Sequence, residues 1–308
     1  MGGDMNRLAT SLGKLSLQSP ITVASGTFDT GYFDLFEQNI LGAYTTKTIT
    51  MQPKAGNPPP RIFETEAGLL NTIGLQNPGL KGFLSEELPR LRDLLDIPLI
   101  VSFSGSSVAE FEAILETLEK EEGIAGYEIN VSCPNVEKEG IAFGAEPDVV
   151  FALACALASK SSRELIFKLS PNVTDIAQIA IAATEGGASS LALINTLYGA
   201  AIDWKTGRFR TSNPVCGYSG TALKPVALAL CHKVAQAVKT PILALGGIHT
   251  WQDALEFFYA GASAIALGTA FYSDPLAAVK LHQGLKDHLE EKELALSELI
   301  GKASLPLP

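Results

Sequence analysis

Short apolar runs recur along this chain at intervals that leave room for a helix between each pair. The runs are Ile21–Ala24, Ala43–Lys47, Pro98–Phe103, Gly126–Val131, Leu165–Leu169, Ser190–Ile194, Pro241–Leu245 and Ala264–Leu267. Each is apolar on both faces, the pattern of a strand covered on each side. Between the runs the apolar period lengthens. Phe111, Ile114, Leu115 and Leu118 fall at i, i+3, i+4, i+7, which predicts an amphipathic helix. Thr250 and Asp253 have capping-box spacing ahead of a helix over Ala254–Tyr259. Pro147 suits the first turn of a helix over Val149–Ser159, and Thr174 is placed to cap Ile176–Thr184, which Gly186-Gly187 ends. Pro275 opens a final helix running towards Glu290, and Leu8 to Leu17 reads as a small hairpin around Gly13.

Eight strands alternating with helices predict an α/β fold, a (β/α)8 TIM barrel with its active site at the carboxyl ends of the strands. An open doubly wound sheet is the alternative. It is poorly supported, because no GxGxxG follows the first strand. No composition shift or linker divides the chain, so a single domain over residues 1–308 is expected. The one proline-rich stretch, Gln52 to Arg61, reads as a rigid loop.

Composition narrows the function classes. The chain of 308 residues is 46% hydrophobic and carries a formal net charge of −10. Its lysines and arginines are scattered, which argues against a nucleic-acid surface. No apolar run approaches the roughly 18 residues of a membrane span, and the first residues lack the apolar core of a secretory signal. Cys133, Cys155, Cys216 and Cys231 are widely spaced, with neither CxxC nor a Cys/His cluster. Free thiols in a reducing compartment are therefore expected, with no metal site, and a cytoplasmic location.

The chemistry should sit at the strand ends. Gly246-Gly247 after the seventh run and Gly268-Thr269 after the eighth would present backbone N–H groups where barrels bind phosphate. Lys47 and Lys168 lie in otherwise apolar strands, where an ammonium can stabilise an anion or form a Schiff base. Asn71, Asn130, Asn135 and Asn195 fall on the same face. A ring of amides, each both donor and acceptor, suits a planar ligand with alternating N–H and C=O groups, such as a pyrimidine. Cys133 follows the fourth strand and opens a polar, glycine-containing loop to Gly144. By itself it reads as a small buried residue; among those neighbours it reads as a reactive group presented over a polar pocket.

Several longer segments carry a resemblance. NTIGLQNPG (Asn71–Gly79), NVSCPN (Asn130–Asn135), KLSPNVTDI (Lys168–Ile176), INT (Ile194–Thr196), GYSGTALKPVAL (Gly217–Leu228), ALGGI and GTA occur in the order seen in class 1 dihydroorotate dehydrogenases. The chain resembles that family from about Asn6 to past Pro275. NPPPRIFET before Asn71 and VEKEGIAFG after Asn135 are similar to its B type.

The resemblance implies an FMN enzyme that oxidises dihydroorotate to orotate in pyrimidine synthesis. Cys133 would be the base that removes the C5 proton while hydride passes from C6 to the flavin. Lys47, Asn71, Asn130, Asn135, Asn195 and Thr196 would contact orotate, with the Ile73-Gly74-Leu75 backbone lining the site. Ser25, Lys47, Thr48, Asn130, Lys168, Ile194, Gly220, Gly246, Gly247, Gly268 and Thr269 would hold FMN. The B type further implies a partner subunit with FAD and an iron–sulfur cluster that passes electrons to NAD+, around a homodimeric core of a heterotetramer.

Two positions depart from the family pattern: Ser102, where it has a flavin-contacting asparagine, and Glu139, where the B-type loop has glycine. Other readings stay open. They are a stand-alone homodimer using fumarate, a flavin barrel acting on another dihydropyrimidine, and a barrel without flavin, either a Schiff-base aldolase or a phosphosugar-binding module.

Overall fold

The computed structural model describes residues 6–132 and 144–305. Eight parallel strands form one sheet: β1 (Ile21–Val23), β2 (Tyr44–Thr45), β3 (Leu99–Phe103), β4 (Gly126–Asn130), β5 (Glu164–Lys168), β6 (Ser190–Leu193), β7 (Ile242–Ala244) and β8 (Ala264–Leu267). The strand order runs β1-β8-β7-β6-β5-β4-β3-β2. A parallel bridge between Thr22 and Ala43 joins its two ends, so the sheet closes into a (β/α)8 barrel. All eight runs expected from the sequence are strands, several of them a residue or two shorter.

Helices cover the outside of this sheet, and the main apolar cluster lies between the two layers. Phe111, Ile114, Leu115 and Leu118 are all buried on the helix Val108–Leu118. The Thr250–Asp253 capping box forms as expected, ahead of Trp251–Ala260. Two helix starts differ from expectation. Asp175, rather than Thr174, caps Ile176–Glu185: its carboxylate lies one position closer to the helix and accepts from the Ala177 amide. The last helix, Ala277–Lys292, begins two residues after Pro275, once the Asp274 carboxylate has taken the Leu276 amide.

The barrel floor is closed from inside. The predicted hairpin pairs Thr10–Leu12 with Leu15–Leu17, and Leu12 and Leu17 pack with Ile100, Ile166, Ala192 and Leu243 in a second apolar cluster. Its turn rests on a buried acid. The Lys14 amide donates to Glu164 Oε2 at 2.6 Å, and Ser190 Oγ donates to Oε1 at 2.5 Å. Burial pushes the Glu164 carboxyl above the usual range, and those bonds pull it part of the way back. Gly13 at the turn has φ +56°, and a Cβ there would lie 2.3 Å from both carboxylate oxygens. Gly13→Ala is therefore expected to lower unfolding free energy by about 1–3 kcal/mol, read from urea denaturation.

At the opposite end stands an element that the sequence pattern did not announce. Ile62–Thr65, Gly68–Asn71, Leu197–Gly199 and Cys216–Ser219 form an antiparallel sheet. Two of its strands come from the β2–β3 connection and two from the β6–β7 connection. Among the described residues, no helix is long and apolar enough to cross a membrane.

Candidate active site

The carboxyl ends of the strands and the antiparallel sheet enclose a cavity of about 690 Å³. Every described residue assigned a substrate or cofactor contact from the sequence lines it. Ser25, Lys47, Thr48, Asn130, Lys168, Ile194 and Asn195 come from the barrel strands or the residues just past them, and Thr196 follows. Gly246, Gly247, Gly268 and Thr269 sit beyond β7 and β8, and Gly220 follows the antiparallel strand Cys216–Ser219. Asn71, Ile73, Gly74 and Leu75 reach the cavity from that same sheet and the turn after it. Lys168 ends β5 as expected, whereas Lys47 lies two residues beyond the regular part of β2. Cys133 and Asn135 lie outside the described residues, as does Glu139. Ser132, which precedes Cys133, lines the cavity. Gly144 sits so close to Val131 that a Cβ would lie 2.6 Å from its carbonyl oxygen. Both flanks of segment 133–143 are thus held beside the end of β4.

The two ammonium groups have different surroundings. Lys168 is 5% exposed; it donates to Ser25 Oγ at 3.0 Å and faces Glu128 Oε1 at 3.5 Å. Lys47 has no carboxylate partner among the described residues. Burial, and secondarily the like charge of Lys168, hold it below the ordinary lysine range. It lies across Gly26, where a Cβ would come 2.8 Å from Nζ. An unpaired, partly desolvated cation in a chain of net charge −10 is a strong local attractor for an anion.

The far side of the cavity suits a phosphate. No protein acceptor among the described residues takes the amides of Gly246, Gly247, Gly268 or Thr269. Gly246 and Gly247 adopt φ +121° and +78°, and added Cβ atoms would strike Ala227 at 2.7 Å and the Lys224 amide nitrogen at 2.6 Å. Free N–H groups at two adjacent strand ends, in a cavity that also holds Lys47 and Lys168, fit the phosphate of a flavin mononucleotide, which these glycine ends would hold.

The turn Ile73-Gly74-Leu75 owes its shape to Asn77. Gly74 and Leu75 both take left-handed backbone, at φ +74° and +53°, a conformation that costs a leucine about 1–2 kcal/mol. The Asn77 amide donates to Leu75 O at 2.7 Å and to Thr50 Oγ1 at 2.9 Å, while its oxygen accepts from the Gly79 and Thr50 amides. Every polar atom of that buried side chain is engaged, and it holds the turn against the cavity.

Sequence reasoning passed over three further amides in the wall, Asn57, Asn172 and Asn213. Asn57 and Asn213 both donate to Thr72 Oγ1 at 2.7 Å, and Asn172 donates to Thr196 O at 2.9 Å. Each neighbours a proline, so each reads as a turn former, and only the closing sheet brings them to the site.

The family model for dihydroorotate dehydrogenase matches residues 7–289. The catalytic subunit of dihydroorotate dehydrogenase B (NAD+) from Geobacillus kaustophilus strain HTA426 is 46% identical over 302 residues, 97% of this chain and 96% of that protein. The corresponding subunit of Geotalea uraniireducens strain Rf4 is 44% identical over 96% of this chain and 97% of its own. That of Thermoanaerobacter pseudethanolicus is 42% identical, covering 96% and 98%. On a match of this extent, the chain belongs to the dihydroorotate dehydrogenase family, on its class 1B branch.

Proposed function

We propose that this chain is the FMN-binding catalytic subunit that oxidises dihydroorotate to orotate for pyrimidine synthesis. The observation that carries the reading is one cavity in which two lysines, three of the predicted asparagines and the free amides of Gly246-Gly247 and Gly268-Thr269 all meet. FMN, when bound, supplies the acceptor for the hydride. The residues of the chain do the rest.

Gly246, Gly247, Gly268 and Thr269 would hold the phosphate. Ser25, Thr48, Lys168, Ile194 and Gly220 would hold the remainder of the cofactor. Lys47 would meet the substrate carboxylate. Asn71, Asn130, Asn135, Asn195 and Thr196 would read the edge of the pyrimidine ring, seated on the Ile73–Leu75 backbone. Cys133 would take the C5 proton. The filled barrel forms the cavity floor, and the antiparallel sheet forms part of its wall.

The relatives' name, catalytic subunit of an NAD+ enzyme, supports a partner that carries the electrons onward. We place FAD and an iron–sulfur cluster on that partner, as the resemblance to the B type implies. Ile202, Trp204 and Phe209 are exposed, Trp204 at 83%, on the excursion that the antiparallel sheet carries. An apolar patch of this kind supports association, and a homodimeric core within a heterotetramer is the arrangement we favour. We further propose that the whole chain works as one domain, in the cytoplasm.

The test is direct. The purified chain should take up FMN in a one-to-one ratio, turn yellow and bleach anaerobically with dihydroorotate. It should reduce NAD+ only when its partner is added. A chain that stays colourless with FMN refutes the reading, and one that turns over with fumarate alone refutes the partner.

A further inference from the structure

Ser102 stands where the family pattern places a flavin-contacting asparagine, yet its side chain is fully buried and absent from the cavity wall. It points instead into the barrel interior, where Ser102 on β3 and Glu128 on β4 are register partners. The Ser102 hydroxyl donates to Glu128 Oε1 at 2.7 Å. Glu128 is 1% exposed, and the same oxygen faces the Lys168 ammonium at 3.5 Å.

Donor counting fixes the direction of every bond in this cluster. A carboxylate only accepts, so the single Ser102 proton is committed to Glu128. The contact of 2.9 Å between Ser102 Oγ and Thr48 Oγ1 must then be donated by Thr48. With its proton spent, Thr48 Oγ1 accepts from Asn130 Nδ2 at 3.3 Å, and Asn130 Oδ1 accepts from the Ser132 amide at 3.2 Å. The relay runs one way, Asn130 to Thr48 to Ser102 to Glu128, with Lys168 arriving from the other side. Asn130, Thr48 and Lys168 line the cavity; Ser102 and Glu128 do not.

We propose that Ser102 and Glu128 are positioning residues that set, from beneath the pocket, the charge and orientation that Lys168 and Asn130 present to the cofactor. The proposal rests on the flavin reading above. Glu128 partly neutralises Lys168, and Ser102 draws some of that negative charge onto itself through its O–H. Ser102 thus replaces a direct contact with an indirect one. The hydroxyl governs how much of the ammonium's field reaches a cavity where reduction places negative charge.

Two substitutions push this balance in opposite directions. Glu128→Gln keeps the shape and removes the counter-charge, so more of the Lys168 field reaches the flavin and its reduction becomes easier. Ser102→Ala leaves the carboxylate with one donor fewer, so it leans on Lys168 and reduction becomes harder. Each is expected to change the two-electron reduction constant of bound FMN on the order of tenfold, ~30 mV, with opposite signs.

The experiment is a spectroscopic redox titration of the wild-type holoprotein and both variants at one pH near neutrality. FMN affinity of the apoproteins is measured alongside by fluorescence. Opposite shifts, with FMN affinity within a few-fold of wild type, support the proposal; a merely structural role would weaken FMN in both variants without splitting the potentials. Shifts in the same direction, or reduction constants within twofold of wild type, overturn it. A wild-type chain that binds no FMN overturns the flavin reading and this proposal together. Wild-type FMN that dihydroorotate reduces, with no splitting between the variants, overturns only the positioning role.

Discussion

Replacing Cys133 by serine is expected to slow reduction of bound FMN by dihydroorotate about 10²–10⁴-fold near neutral pH, the range spanned by a positioned acid or base. The reason is the ionisation of the two side chains. A thiol has a thiolate population at neutral pH that a hydroxyl lacks, and the thiolate is what can accept the C5 proton. The chain just before Cys133 is anchored: Ile129 and Val131 are buried, and Asn130 is held between Thr48 and the Ser132 amide. A serine for a cysteine changes one atom, so FMN and orotate affinities should remain within a few-fold of wild type. Single-turnover stopped-flow bleaching at 450 nm, roughly the flavin absorption maximum, measures the step without interference from reoxidation. Bleaching at the wild-type rate would remove Cys133 from the proton transfer.

Lys47→Ala is expected to weaken orotate by about 10–100-fold, the loss of one charge-assisted hydrogen bond in a partly buried site. The pH dependence makes the expectation specific. Lys47 sits below the ordinary lysine range because burial, and then Lys168, disfavour its charged form. Raising the pH therefore discharges it earlier than an exposed lysine, and wild-type orotate affinity should fall over that interval. The alanine variant has no ammonium to lose, so its weaker affinity should be flat there. Calorimetric titration with orotate at several pH values reads both the size and the slope. Equal affinities in the two proteins would assign the carboxylate to another group.

What the sequence disclosed and what it hid follow from the range of the interactions. The barrel strands were legible because each is covered on both sides and so carries apolar residues on both faces, with few polar exceptions; β3 and β4 are buried throughout their length. The phosphate end was legible because close backbone contact demands glycine, and Gly246-Gly247 and Gly268-Thr269 follow two successive strands. The antiparallel sheet was not. Gly217 pairs with Asn71 across nearly half the chain, and Ile62–Thr65 alternates half-buried with exposed positions over only four residues. Such short, non-local strands leave almost no periodic signal.

Ser102 shows the same limit at one residue. Its departure from the family pattern was visible, but its meaning depends on which residue of β4 lies beside it, and register is a property of the assembled sheet. The helix caps erred by one or two positions for a similar reason. Several side chains at a helix start can take a free amide, and only the local backbone decides which one does.

The floor of the barrel carries a consequence for how the protein is made. The hairpin that fills it is synthesised long before its partners: Thr10 Oγ1 bonds Ser263 O at 2.8 Å, and Arg7 O accepts from the Leu296 amide at 2.9 Å. Those partners are translated more than 250 residues later. A nascent chain must therefore carry Leu12, Leu15 and Leu17 without their final neighbours through most of synthesis, a stretch during which apolar hairpins invite chaperones or mispairing. The floor is complete only once Ser263 and Leu296 have been made, so closing the barrel joins residues from across the sequence.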